Sequence, residues 1–158
     1  MSADLLKVIN DILDLSRLEA GMMKFDKRDT EVSSLLAGAA SVAGTSANRI
    51  EIRPEYPDNT LFIADLDAAR LQQVFETLLL PPETRSVIVV TVREADKVLH
   101  IRVAGSALAQ GQPPQDIVIR NEINRMLVTR FGGSYTISEE AGVGLINLTI
   151  PIREVIRV

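Results

Sequence analysis

The sequence predicts an α+β fold: a long N-terminal helix followed by a two-layer α/β sandwich, with a mixed sheet and helices on one face. Three observations carry this. The opening residues place apolar side chains at helical spacing, residues 86–103 alternate as a hairpin, and helical and strand segments follow one another through the chain. The order reads helix, helix, strand, strand, helix, strand, strand, helix, strand, strand, which favours helices layered on a mixed or antiparallel sheet. A length of 158 residues, with 46% hydrophobic and 24% charged, suits one domain plus a small appendage. A net charge of -4 without a Lys/Arg cluster argues against nucleic acid. The absence of cysteine excludes disulfides and thiolate chemistry and fits a reducing compartment. No apolar run reaches membrane-spanning length.

Leu5, Val8, Ile9, Ile12 and Leu15 recur at three- and four-residue spacing, and Leu6, Leu13 and Leu18 widen their stripe. So broad an arc wants more than one neighbour. Its partner is either another copy of the chain, a segment outside this sequence, or the core of the same domain. Asp11 and Asp14 fall on the polar face, where Asp14 can pair with Arg17. Gly21 is a helix stop. Asp29-Thr30-Glu31 supplies helix-start chemistry for the stripe Val32, Leu35, Leu36, Ala39, Ala40 and Ala43.

Ile50–Arg53 and Leu61–Ala64 read as strands around the turn-prone Pro54 to Asn59. Asp67 caps a helix through Leu71, Val74, Phe75 and Leu78, which Pro81-Pro82 stops. The clearest hairpin runs from Ser86 to Arg93 and from Val98 to Val103, turning at Glu94 to Asp96. Leu99, Ile101 and Val103 alternate with His100 and Arg102, which places His100 on a wet face, a surface histidine with no metal-ligand spacing around it. A polar loop, Gly105 to Gln115, leads into a helix from about Asp116 to Phe131, ended by Gly132-Gly133. Strands Ser134–Ser138 and Leu145–Ile152 flank the turn Glu140 to Gly144, where Gly142 and Gly144 are turn glycines rather than a phosphate loop. Glu139 and Glu140 read as a solvated charge pair, and Arg120 and Arg125 as solvated surface.

Several of these segments carry a resemblance. Leu6-Lys7-Val8-Ile9-Asn10-Asp11-Ile12-Leu13-Asp14-Leu15-Ser16-Arg17-Leu18-Glu19-Ala20-Gly21 resembles the second helix of the dimerisation and phosphotransfer hairpin of sensor histidine kinases. Asp67-Ala68-Ala69-Arg70-Leu71-Gln72-Gln73-Val74-Phe75 is similar to the approach to that family's asparagine box. Leu127 to Gly133, Glu139 to Gly144 and Leu148 to Pro151 are similar to its last helix and closing hairpin. The resemblance implies residues 1–24 as the hairpin's second helix and residues 25–158 as an ATP-binding domain of the histidine kinase, gyrase and Hsp90 type. It also implies a homodimer through Leu5, Val8, Ile9, Ile12 and Leu15, a response regulator or partner histidine kinase as further partner, and a cytoplasmic location, in a soluble protein or in the cytoplasmic part of a membrane-anchored sensor. No membrane contact by these residues is expected.

In that family an asparagine box holds Mg²⁺, an aspartate reads adenine, and glycine loops surround the phosphates, because phosphoryl transfer depends on positioning and charge neutralisation. The asparagine positions fall here on Thr77 and Pro81, and proline has no side-chain oxygen for a cation. The first glycine box falls on Gly105 to Ala109: Gly105 replaces the aspartate, and Ala107 and Ala109 replace glycines. The glycines of the second box fall on Val118 and Arg120, thirteen positions beyond the first, which leaves no room for the family's long lid. The expectation is a degenerate ATP site without cofactor, ATP or Mg²⁺, and a pseudokinase acting through protein contacts in a two-component or phosphorelay pathway. The alternatives are a kinase with a divergent ATP site, or a phosphotransferase whose histidine precedes this sequence, since His100 lies far downstream.

Overall fold

Alternation of apolar and polar residues builds most of the fold seen in the computed structural model, which describes residues 3–44, 48–80, 86–111 and 113–158. The elements are α1 (Ala3–Glu19), β1 (Arg28–Glu31), α2 (Val32–Ala43), β2 (Asn48–Pro54), β3 (Thr60–Leu66), α3 (Ala68–Leu78), β4 (Ser86–Ala95), β5 (Val98–Ala104), a 3-10 turn (Ala107–Ala109), α4 (Gln115–Arg130), β6 (Ser134–Glu140), β7 (Val143–Pro151) and β8 (Glu154–Arg157). Five strands form a mixed sheet in the order β2-β4-β5-β7-β6, with β2 parallel to β4 and the rest antiparallel. β1, β3 and β8 form a separate antiparallel sheet of three strands.

One hydrophobic core joins the inner face of the larger sheet (Val90, Leu99, Ile101, Ile146, Leu148) to the helices through Leu36, Phe75, Leu127 and Val128. Thr91, Arg93, His100 and Arg102 stand at the alternate positions of β4 and β5 and stay half-buried or exposed. The hairpin turns at Asp96 and Lys97, both at positive φ, as a two-residue turn whose twist matches its strands. The β6–β7 turn is likewise Ala141-Gly142, both at positive φ, so Glu139 and Glu140 are strand residues rather than turn residues. Gly144 is not there for the turn. A Cβ at that position would lie 2.0 Å from the Ala109 carbonyl oxygen, so glycine is required by close approach of another backbone.

The helix-start chemistry of Asp29-Thr30-Glu31 is realised at Glu31, which caps α2, while the same residues also form strand β1, which the sequence did not suggest. The Glu31 carboxylate accepts from Ser33 N (3.1 Å), Ser34 N (2.9 Å) and, across to β3, Phe62 N (2.8 Å). The Ser33 and Ser34 hydroxyls donate to it as well. One side chain therefore closes a helix terminus and ties it to the smaller sheet. Three other helix ends follow the sequence: Asp67 accepts from Arg70 N, and Gly21 and Gly132 end α1 and α4 at positive φ. Met22 N donates to Arg17 O and Gly133 N to Val128 O, the bond pattern of a Schellman end.

Burial pushes the Glu31 carboxyl upward, but the hydrogen bonds from Ser33, Ser34 and the Phe62 amide outweigh it and hold the group below its ordinary 4.5. Its stabilisation is therefore complete above pH 4.5 and is lost as pH falls through the lower folded value. Glu31→Ala should cost about 1–2 kcal/mol in denaturant unfolding at neutral pH. That deficit should shrink on acidification below pH 4.5; a deficit independent of pH would contradict the assignment.

Candidate functional site

The elements expected to form the nucleotide site, α3, the 3-10 turn and α4, meet at one junction, but Arg120 turns from it to α1 and Val118 is 44% exposed. Thr77 lies in the last turn of α3, Gly105 follows β5, Ala107 and Ala109 form the 3-10 turn, and Val118 and Arg120 lie in the N-terminal half of α4. Pro81 is outside the described residues.

Side chains of this chain occupy the junction. Asn124 on α4 is 1% exposed, and its amide donates to Thr77 Oγ1 (2.9 Å) and to the Tyr135 hydroxyl (3.4 Å). Tyr135 donates in turn to Asn121 Oδ1 (2.6 Å), and Asn121 Nδ2 donates to Leu108 O (2.8 Å). Thr77 also returns its hydroxyl to Val74 O (2.9 Å) within α3. The 3-10 turn is fixed from the other side by Ala107 N donating to Leu80 O (2.9 Å), and is capped by Ser106 Oγ accepting from Leu108 N (3.1 Å). Ala107 and Leu108 are themselves buried. Gly105 has φ +91, and a Cβ there would lie 2.9 Å from Val87 O, so strand packing alone requires glycine at this position.

Arg120 is not solvated surface. Its guanidinium meets Asp11 of α1 at 3.4 Å, with both side chains largely buried. Asp14 pairs with Arg17 at 3.6 Å as its spacing predicts, and also reaches Arg70 of α3 at 3.9 Å. The face of α1 bearing Asp11 and Asp14 thus points at the domain rather than at water. Leu18 is buried there, Leu15 packs against the core, and Arg130 donates to Leu18 O at 3.4 Å. The connection after α1 is held by Asp26 N donating to Asp67 Oδ2 (3.0 Å) and by an edge-on contact of Phe25 with Phe131. On the far side of α1, Leu5, Leu6, Ile9, Ile12 and Leu13 are each 39–50% exposed, while Val8 is half-buried.

Arg125 is exposed and paired with Glu122, and His100 lies on the outer face of β5 opposite Arg93. Among the described residues no group of His, Asp or Glu is placed to hold a metal ion, and no helix is long and apolar enough to cross a membrane. Sequence reasoning missed Asn121, Asn124 and Tyr135. Asn124 is a buried polar residue on an otherwise apolar helix stripe between Ile123 and Leu127, and that break in the stripe was the available signal.

Burial pushes the Tyr135 hydroxyl up to about 12 from its ordinary 10.0, against a smaller opposing effect of the Asn124 hydrogen bond. The stabilisation that goes with the neutral phenol is complete below pH 10.0 and is lost as pH rises toward 12. Tyr135→Phe should cost about 1 kcal/mol at neutral pH through the hydrogen bonds it removes. Measured by parallel denaturant titrations, that advantage of the natural residue should decline between pH 10.0 and 12; a constant difference would contradict the burial argument.

No protein-family model matches the sequence, and no curated protein is similar to it in sequence. Solved structures are similar in fold. The chain superposes on the Acinetobacter baumannii histidine kinase AdeS with a TM-score of 0.70 at 9% identity, covering 92% of this chain and 77% of that one. A histidine kinase from Burkholderia phymatum gives 0.63 at 11% identity, covering 98% and 82%. Full-length ShkA, solved in complex with AMPPNP, gives 0.70 at 18% identity; the match covers 94% of this chain and 36% of ShkA, so the chain corresponds to about a third of that protein. The overall α+β architecture is thus the fold of these histidine kinase structures, among them the catalytic domain of histidine kinase ThkA (TM-score 0.63 at 13% identity).

Proposed function

We propose that the chain is part of a histidine-kinase-type signalling protein whose nucleotide site is degenerate, a pseudokinase acting through protein contacts in a two-component or phosphorelay pathway. One observation supports this reading: the hydrogen-bonded set Thr77, Asn124, Tyr135, Asn121 and Leu108 ties α3, α4, β6 and the 3-10 turn together at the junction that the family resemblance assigns to nucleotide. A ligand entering there would have to displace a buried, satisfied amide, which costs about 1–3 kcal/mol for each polar group left unpaired. Arg120, at a position where the family has glycine, supports the same reading, since its charge is engaged with Asp11. Neither ATP nor Mg²⁺ is expected as a cofactor, and nucleic acid is not expected as a partner.

Residues 1–24 are proposed as the second helix of a dimerisation hairpin and residues 25–158 as the ATPase-type domain, in a cytoplasmic setting. Homodimerisation would use the outer face of α1 around Leu5, Ile9 and Ile12, with Val8 at its border, whereas Leu15 is directed to the core. A response regulator or a partner histidine kinase is the further partner. A second reading, a phosphotransferase with its histidine on a preceding helix, is favoured by the fixed seat of α1 against the domain through Asp11–Arg120 and Asp14–Arg70. That chemistry needs no nucleotide pocket.

Calorimetric titration with Mg²⁺-ATP and with ADP tests the proposal. No heat is expected at millimolar nucleotide, and saturable micromolar binding would restore a working kinase. Ile12→Asp should convert dimers to monomers in light scattering while leaving the circular dichroism unchanged, because Ile12 is 46% exposed. An unaltered mass would remove α1 as the dimer surface.

A further inference from the structure

The outer face of the larger sheet carries a second constellation, remote from the α3–α4 junction. Strand register aligns Arg93, His100 and Thr149 in one row across β4, β5 and β7, and Thr91, Arg102 and Asn147 in the next. These six side chains line an open trough of about 370 Å³, together with Glu55. Each of the six offers an N–H or O–H donor. Arg93 and Arg102 are diagonal neighbours on adjacent strands, about 7–8 Å apart at the backbone, so their long side chains can converge on one group. Arg102 reaches Glu140 at 3.0 Å, but that pair is exposed and worth little in water.

Two guanidiniums and an imidazole gather here in adjacent rows of a chain whose net charge is -4. The geometry points to an anion site on this face for a small hydroxylated phosphate monoester. Arg93, His100 and Arg102 bind the phosphoryl oxygens. The second N–H of the Asn147 amide, whose first donates to Ser138 Oγ (3.3 Å), is a neutral donor. The Thr149 hydroxyl, which accepts from Ser134 N (3.0 Å), is held beside them by its contact with Ser134 Oγ (2.8 Å). A tetrahedral anion has more acceptor directions than a carboxylate and matches this number of donors better. Glu55, whose amide bonds to Val92 O beside Arg93, repels the anion from its end of the trough and accepts from a hydroxyl of the organic part. Binding here is independent of any nucleotide pocket.

The test is titration of the ¹⁵N-labelled protein with glycerol 3-phosphate, with inorganic phosphate and with glycerol, at constant ionic strength. Saturable shifts are expected at residues 91–93, 100–102 and 147–149 with both phosphates and not with glycerol, stronger for the ester. Arg93→Gln with Arg102→Gln should weaken binding about tenfold or more, since each removes a charge-assisted contact. Both residues are exposed, so the fold should be unaffected. Absent saturation, shifts spread over all surface cations, or undiminished binding by the double variant would each overturn the site. Equal affinity for phosphate and its ester would overturn the role given to Glu55. Shifts at Thr77 and residues 105–124 instead would speak to the nucleotide junction and not to this face.

Discussion

A single buried amide organises the centre of this molecule. Asn124 sits on α4 among Ile123, Leu127 and Val128, where an unsatisfied polar group would be costly. Its bonds to Thr77 and Tyr135 set the positions of α3 and β6 relative to α4, and Asn121 extends the chain of bonds to the 3-10 turn. Four elements, of which α3 is far in sequence from the other three, are thereby held at one spacing. Apolar packing would permit small slides among them; directional bonds to a fully buried side chain do not.

The same bonds join α3, α4 and the 3-10 turn, the junction that the proposal reads as a degenerate nucleotide site. Glycine usage follows suit. Gly105 and Gly144 are present because neighbouring backbones come too close for a Cβ, reasons internal to the fold. Arg120 on α4 turns to Asp11 and links α1 to the domain.

α1 is consequently a helix with two different faces. One is specific and polar in part, carrying Asp11, Asp14, Leu15 and Leu18 against α3 and α4. The other presents Leu5, Leu6, Ile9, Ile12 and Leu13 outward. This is the apolar surface that the proposal gives to dimerisation. The ion pairs fix how that surface is oriented, because a largely buried pair tolerates little rotation of the helix about its axis.

The sequence by itself determined the fold class, the hairpin of β4 and β5, the Asp67 cap, the glycine ends of α1 and α4, and the wet placement of His100. All rest on local periodicity or local backbone chemistry, which the chain states directly. Only the tertiary structure decided the rest. The smaller sheet pairs β1 with β3 and β3 with β8, and β8 lies at the end of a chain whose terminal residues show no strong alternation. β1 is four residues long and reads as helix-start chemistry, because the same Glu31 serves both as strand residue and as cap. Asp11 and Asp14 look solvated by spacing alone, until Arg120 and Arg70 arrive from elsewhere in the chain. Likewise, Thr77, Asn121, Asn124 and Tyr135 have no sequence pattern in common. Their partnership follows from helix and strand packing, which brings together polar groups separated by as many as 47 positions, and burial then leaves them only one another to bond.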